Sequence, residues 1–228
     1  MNIVKRFIYK CIQSVLRIQL KIFYDFRVWG KENLVSGPKI FCSNHFSSSD
    51  PGFVITLMDE PVHMVIGSAF GIPLLSNILE LGEQINAYAE EDRKAVVDKA
   101  VGYLEKGESV YIFPEGDLND QKTLKRFYLG LARIYMSCPV PIIPIGLIAP
   151  RRNVRDRDIT VNEVLYHQLR VVSKNYYANI GRSLTLLERP VRTDDREYEK
   201  ELAVEITSKV KDAIEELIND IKVNKFWS

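Results

Sequence analysis

One short segment of this 228-residue chain concentrates groups able to move a proton: Asn44, His45, Phe46, Ser47, Ser48, Ser49 and Asp50, directly before Pro51. An imidazole accepts a proton readily near neutral pH. A carboxylate bonded to one ring nitrogen leaves the other as acceptor and stabilises the imidazolium that forms. The same residues also fit a plain structural role. Asp50 then caps a helix with Pro51 in its first turn, the serines fill a loop, and His45 has no task. The two uses are compatible, because a capping carboxylate is fixed in orientation. A second segment, Phe113-Pro114-Glu115-Gly116-Asp117-Leu118-Asn119-Asp120, follows the strongest strand pattern in the chain. There Pro114 ends the ladder, Glu115 presents a carboxylate and Gly116 permits close backbone approach or a positive φ. Taken alone, that segment is a turn after a strand. Cys42 is close to His45, but strand alternation turns it into the core, so a thiol nucleophile is not expected.

The elements that must position these groups alternate. Residues 38–43, 62–66, 109–113 and 140–148 read as short apolar strands, and 51–58, 92–106, 124–137 and 198–221 as helices. Residues 184–187 read as a last strand and 151–158 as a charged loop or insertion. The uncharged stretch from Pro61 to Leu79 is broken by His63, Gly67, Gly71 and Pro73, so it reads as a strand, a turn and a short helix rather than a membrane span. Alternating strands and helices imply a single α/β domain with a mixed, partly parallel central sheet flanked by helices. Both chemistry-bearing segments fall at strand ends, where such folds gather their functional loops.

Composition narrows the classes. Thirty-one basic and 30 acidic residues leave a net charge of +1, which excludes nucleic-acid binding through bulk charge. Cys11, Cys42 and Cys138 are widely spaced and match no metal motif, so no metal site and no disulfide framework is expected. His63 and His167 have no partner visible in sequence and read as structural or surface residues. Residues 3–24 form an amphipathic helix with Val4, Phe7, Ile8, Cys11, Val15, Ile18 and Ile22 on one stripe. Lys5, Arg6, Lys10, Arg17 and Lys21 have no acidic neighbour there. That pattern suits an interfacial membrane anchor, and equally a helix packed on the rest of the fold.

Taken together and in order, three blocks resemble the glycerolipid acyltransferase family, which includes 1-acylglycerol-3-phosphate acyltransferases. The family's N-H-x-x-x-x-D is Asn44, His45 and Asp50; its F-P-E-G is Phe113, Pro114, Glu115 and Gly116; its V-P-hydrophobic-x-P is Val140, Pro141 and Pro144. The likeness covers roughly residues 28–190, including an Asn179–Leu184 stretch like the family's late strand. With the amphipathic pattern of the N-terminus, it divides the chain into a membrane-associating helix over residues 1–27 and an acyltransferase domain over 28–228. It also implies O-acyl transfer to a lysolipid hydroxyl without an acyl-enzyme. His45 is then the general base, Asp50 orients it, and Asn44, Phe113, Pro114, Glu115 and Gly116 bind substrate. The expected partners are acyl-CoA or acyl carrier protein as co-substrate, a lipid acceptor and a membrane surface. No other cofactor and no nucleic acid is expected, and the place is the cytoplasmic face of a membrane, peripherally or monotopically bound.

The departures bear on the acceptor. Tyr88 stands where the family has an Arg, Asp117-Leu118-Asn119 replaces T-R-S, and Tyr128 replaces a frequent Lys in F-K-x-G. Lost cations and an added carboxylate make the subsite less welcoming to a phosphate. A non-phosphate acceptor (glycolipid, amino-acid lipid or natural-product alcohol) is therefore one expectation, and compensation by Arg93, Lys122, Lys125 or Arg126 the other. A catalytically silent lipid-binding member is the alternative from a different class. Arg151, Arg152, Arg155 and Arg157 form a further basic cluster, read as a solvated loop or a contact for anionic groups.

Overall fold

A computed structural model describes residues 3–88, 93–161, 164–171 and 174–225. Strands Ile40–Ser43 (β2), Ser109–Ile112 (β5) and Ile142–Ile148 (β6) are buried at every position, as strands covered on both faces must be. They form the middle of a seven-stranded sheet of order β1-β9-β6-β2-β5-β3-β4. The remaining strands are β1 (Tyr24–Trp29), β3 (Val62–Ile66), β4 (Ile85–Asn86) and β9 (Lys174–Ile180). β2 runs parallel to both β5 and β6, and β3 runs parallel to β4 and β5. β9 is antiparallel to β6, and β1 lies parallel to β9. The sheet is mostly parallel, in keeping with the expected mixed, partly parallel α/β domain.

Alternation along β2 sends Ile40 and Cys42 to one layer and Phe41 to the other. The first layer packs against α4 (Arg93–Glu105), α5 (Gly130–Ser137) and α6 (Arg196–Asp220). Asp92, expected to open α4, lies outside the described residues. Cys42 is fully buried there, and desolvation pushes its thiol far above the ordinary range, so it carries no thiolate for attack. α6 reaches β6 at Gly146, where a Cβ would stand 2.8 Å from Leu217 Cβ and 2.9 Å from Ile218 N. The other layer gathers Phe41, Phe53, Tyr111, Ile143, Ile145 and Tyr176 under α2 (Asp50–Val54).

Several elements differ from their sequence reading. Residues 151–158 are not a loop: a single turn over Arg151–Asn153 leads into β7 (Val154–Val161), which pairs antiparallel with β8 (Val164–Val171). Charged residues in a row hide a strand from any hydrophobic-period test, and here the pairing partner supplies what the pattern lacks. Helix α5 begins only at Gly130, because Lys125 N–H and Tyr128 N–H donate to Glu115 and to the Pro114 carbonyl instead of to a preceding turn. Of the strand expected at 184–187, Leu184 alone makes a bridge, to Ile142. The side chain of His167 is outside the described residues. His63 is buried, bonded to the Glu83 carbonyl at 2.8 Å and to Glu108 at 2.9 Å, and stacked on Tyr103.

Helix α1 (Ile3–Phe23) turns Tyr9, Gln13 and Leu20 inward and keeps much of its apolar stripe outside. Gln13 is buried and its amide donates to the carbonyls of Ile55 and Met58, both at 2.7 Å. Arg17 donates to Thr56 O at 3.2 Å and Met58 O at 2.7 Å, and Lys10 donates to Asp59 O. Ile3, Val4, Phe7, Val15, Ile18 and Ile22 of the apolar face are left exposed. Leu74, Ile78 and Leu81 of α3 (Pro73–Leu81) are exposed as well, and a Lys5–Glu83 ion pair at 2.8 Å ties α1 to the end of that helix. Among the described residues no helix is long and apolar enough to cross a membrane. After Phe23 the chain passes directly into β1, so residues 24–27 belong to the sheet.

Candidate active site

β2 and β5 are neighbouring parallel strands, so the loops at their C-terminal ends lie side by side. Asn44 leaves β2 and extends the ladder with its side chain: its amide donates to Leu147 O at 2.9 Å and accepts Leu147 N–H at 2.7 Å. A buried amide satisfied on both sides fixes the start of the loop. The loop then folds back over α2. Asp50 opens that helix but does not cap it; its Oδ2 accepts the amides of Phe46 and Ser47, each at 2.9 Å, and meets His45 Nδ1 at 2.9 Å. An oxygen already accepting two N–H groups acts as an acceptor, so Nδ1 carries the proton and Nε2 holds the lone pair. Nε2 has no hydrogen-bond partner among the described residues, and the ring is 18% exposed. Asp50 itself is fully buried.

The second loop holds this histidine from behind. Phe113 stacks on the His45 ring with centroids 4.1 Å apart. Glu115 Oε1 accepts His45 N–H and the Asn119 amide, both at 2.7 Å, and Oε2 accepts Lys125 N–H at 2.8 Å. Both oxygens of this expected substrate-binding carboxylate are therefore occupied by protein donors. Burial raises Glu115 above the usual carboxylate range, against the lowering effect of those donors and of His45. Asn119 N–H closes the clasp by donating to His45 O at 2.6 Å. Gly116 adopts φ 66°, and a Cβ there would lie 3.0 Å from two ring carbons of Tyr128. Pro114 contributes its carbonyl, which accepts Tyr128 N–H at 2.8 Å.

The charges at the rim divide into paired and unpaired. Lys125 Nζ bonds Asp117 Oδ2 at 2.7 Å. Burial alone would raise Asp117, but the bond from Lys125, the Leu118 amide and the charges of Lys125 and His45 hold it below its ordinary value. Arg93 lies over the Tyr128 ring, 5.7 Å from its centre, with no carboxylate partner among the described residues. Lys122 instead lines a cavity of about 240 Å³ on the α6 side, together with Asn44, Gln121, Leu147 and Lys222. No group of three or more His, Cys, Asp or Glu among the described residues is placed to hold a metal ion.

Residues 25–148, more than half of the chain, match the model of the family described as Acyltransferase.

The chain belongs to the acyltransferase family.

Two curated relatives are similar to it, each 27% identical over 135 residues or 58% of this chain. They are the chloroplastic 1-acyl-sn-glycerol-3-phosphate acyltransferases BAT2 of Brassica napus and LPAT1 of Arabidopsis thaliana. The match spans 39% and 38% of those proteins, so the chain corresponds to less than half of their length. The crystal structure of the 1-acyl-sn-glycerophosphate acyltransferase PlsC of Thermotoga maritima shares the fold. Its TM-score is 0.61 at 15% identity, over 91% of this chain and 82% of that one.

Within this acyltransferase-family chain, His45, Asp50, Asn44 and Phe113–Gly116 all lie inside the matched region and all meet at one place. Sequence reasoning missed the backbone clasp by Glu115 and Asn119. It also missed Tyr176 on β9, whose hydroxyl donates to Asp50 Oδ1 at 2.8 Å. Period-2 burial could have placed Tyr176 in the core. Nothing in the sequence points its hydroxyl at residue 50, 126 positions away.

Proposed function

We propose that this chain is an O-acyltransferase that moves a fatty acyl group from acyl-CoA or acyl carrier protein to a hydroxyl of a lysolipid at a membrane surface. The observation that carries this reading is the His45 ring: Nδ1 is held by a buried carboxylate, while Nε2 has no hydrogen-bond partner among the described residues and the ring is partly exposed. Nε2 takes the proton of the acceptor hydroxyl as its oxygen attacks the thioester carbonyl carbon. The tetrahedral intermediate then expels the thiolate, breaking the C–S bond, and the proton on Nε2 passes to the departing sulfur. The products are an ester and a free thiol, with no acyl-enzyme. Asp50 holds the reactive tautomer and offsets the imidazolium charge. Glu115, with both oxygens engaged, organises the histidine's backbone rather than touching substrate. A catalytically silent lipid binder would have no use for a histidine poised in this way.

The names of the two plant relatives and of PlsC favour a 1-acylglycerol-3-phosphate-like acceptor, and Arg93 offers a cation for its phosphate. The second reading, an acceptor without phosphate, is favoured by Asp117, which neutralises Lys125 at the same rim. The outward apolar face of α1 and the exposed residues of α3 suit a lipid surface, the cytoplasmic face of a membrane being where such an acceptor and a soluble thioester meet.

Labelled acyl thioesters and a panel of lysolipids, presented in vesicles to the unaltered protein and to His45→Ala, test the reading. Transfer by the first and none above background by the second is expected. Equal transfer by both would remove His45 as the base.

A further inference from the structure

The dyad has a buried third member. Tyr176 is fully buried on β9, its ring stacked on Phe53 with centroids 3.7 Å apart and 4° between planes. Phe26 meets it edge-on at 5.5 Å, and Phe46 lies 5.6 Å away. These three aromatic neighbours leave the phenol, among the described residues, a single polar contact, the 2.8 Å bond to Asp50 Oδ1. Burial and the nearby Asp50 charge push the Tyr176 hydroxyl well above its ordinary value, so it stays protonated and donates.

The donors on Asp50 are unevenly shared. Oδ2 accepts Phe46 N–H, Ser47 N–H and His45 Nδ1–H, whereas Oδ1 has only Tyr176 among the described residues. The backbone donors come from the residues just after His45 and move with that loop. The tyrosine comes from a different strand of the sheet, so its bond alone refers the carboxylate to the rigid core. Without it, a fully buried carboxylate oxygen has no donor and the group gains freedom to rotate about χ2. Rotation lowers the occupancy of the geometry in which Oδ2 faces Nδ1, and with it the fraction of His45 presenting an unprotonated Nε2.

We propose that Tyr176 is a positioning residue of the catalytic apparatus: its hydroxyl locks the Asp50 carboxylate so that His45 keeps the base-competent tautomer and orientation. The inference rests on His45 acting as the base. Tyr176 touches no substrate, so its effect belongs to kcat and runs through Asp50.

The test is a double-mutant cycle in the full chain with Tyr176→Phe and Asp50→Asn, reading kcat and KM separately. Tyr176→Phe should lower kcat about tenfold with KM for donor and acceptor unchanged, and the double variant should be no slower than Asp50→Asn alone. An unchanged kcat, a loss carried by KM, or losses that multiply in the double variant would overturn the proposal. Should Tyr176→Phe fold poorly, 4-aminophenylalanine and 4-fluorophenylalanine at position 176 separate donor from shape. The amino variant should retain the rate and the fluoro variant lose it, and equal rates would overturn the idea. If the unaltered protein transfers no acyl group to any acceptor, the proposed activity fails. The inference then stands or falls on the low-field Nδ1–H resonance of His45, which must weaken or shift in Tyr176→Phe. An unaltered signal counts against it.

Discussion

Glu115 Oε1 lies 2.7 Å from the backbone nitrogen of His45, so a side chain from the β5 loop satisfies the main chain near the start of the β2 loop. One carboxylate thereby sets how far the histidine stands from the sheet. Glu115→Ala leaves the His45 amide, the Asn119 side chain and the Lys125 amide without their acceptor. It should cost about 1–3 kcal/mol in stability and at least tenfold in kcat. Denaturant unfolding and single-turnover rates check this.

The charge on Glu115 makes a second expectation. Its acid is raised in the folded protein, so its contribution to stability is present below the unfolded carboxylate range and is lost as pH rises through the raised value. The stability of the unaltered protein relative to Glu115→Gln should therefore fall as pH increases through that window. Parallel unfolding curves from pH 4 to pH 8 measure it, and a relative stability that increases with pH would contradict the burial argument.

Arg93 discriminates between the two acceptor readings. Arg93→Gln should raise KM for a lysophosphatidate about tenfold, the loss of one charge-assisted contact, and leave a neutral lysolipid unaffected. A preference of the unaltered protein for neutral acceptors, with no response to this substitution, would favour the Asp117-based reading instead.

The outer face of α1 is separable from the fold. Phe7 is 69% and Ile18 61% exposed, so replacing both with Ser should leave the unfolding midpoint within a degree or two. Each side chain contributes at most about 1.5–3 kcal/mol when taken up by an apolar phase, so vesicle partition should fall at least tenfold. Co-sedimentation with vesicles reads the outcome, and unchanged partition would remove this face from membrane binding.

Gly146 is the close-approach point of α6. A Cβ there would meet backbone atoms of the helix at 2.9 Å, which cannot rotate away, so Gly146→Ala should cost about 1–3 kcal/mol by displacing α6. The measurement is again chemical denaturation.

The central strands and the dyad were legible because their signals are local. Apolar runs at 40–43, 109–112 and 142–148 need no partner to be recognised, and His45 and Asp50 are five residues apart. β1, β8 and β9 were not read, since polar and aromatic residues interrupt their patterns and long-range pairing decides them. The first part, 124–129, of the helix expected over 124–137 gave way to tertiary bonds to Glu115 and Pro114, which no local propensity reports. The amphipathic stripe of α1 was legible, but its direction was not. Periodicity identifies a face, and the carbonyls at the end of α2 show that Gln13 points inward while Arg17 reaches them from the exposed edge.

The seating of that helix has a mechanical consequence. Gln13 grips Ile55 and Met58 just past the end of α2, the five-residue helix that Asp50 begins. Any layer that absorbs the outer side of α1 is thus joined to the histidine through one hydrogen-bonded strut and a single turn and a half of helix. The proposed base, His45, would then be held at a set height above that layer. An acceptor would be selected partly by how far its hydroxyl protrudes from the plane, a length criterion independent of headgroup charge.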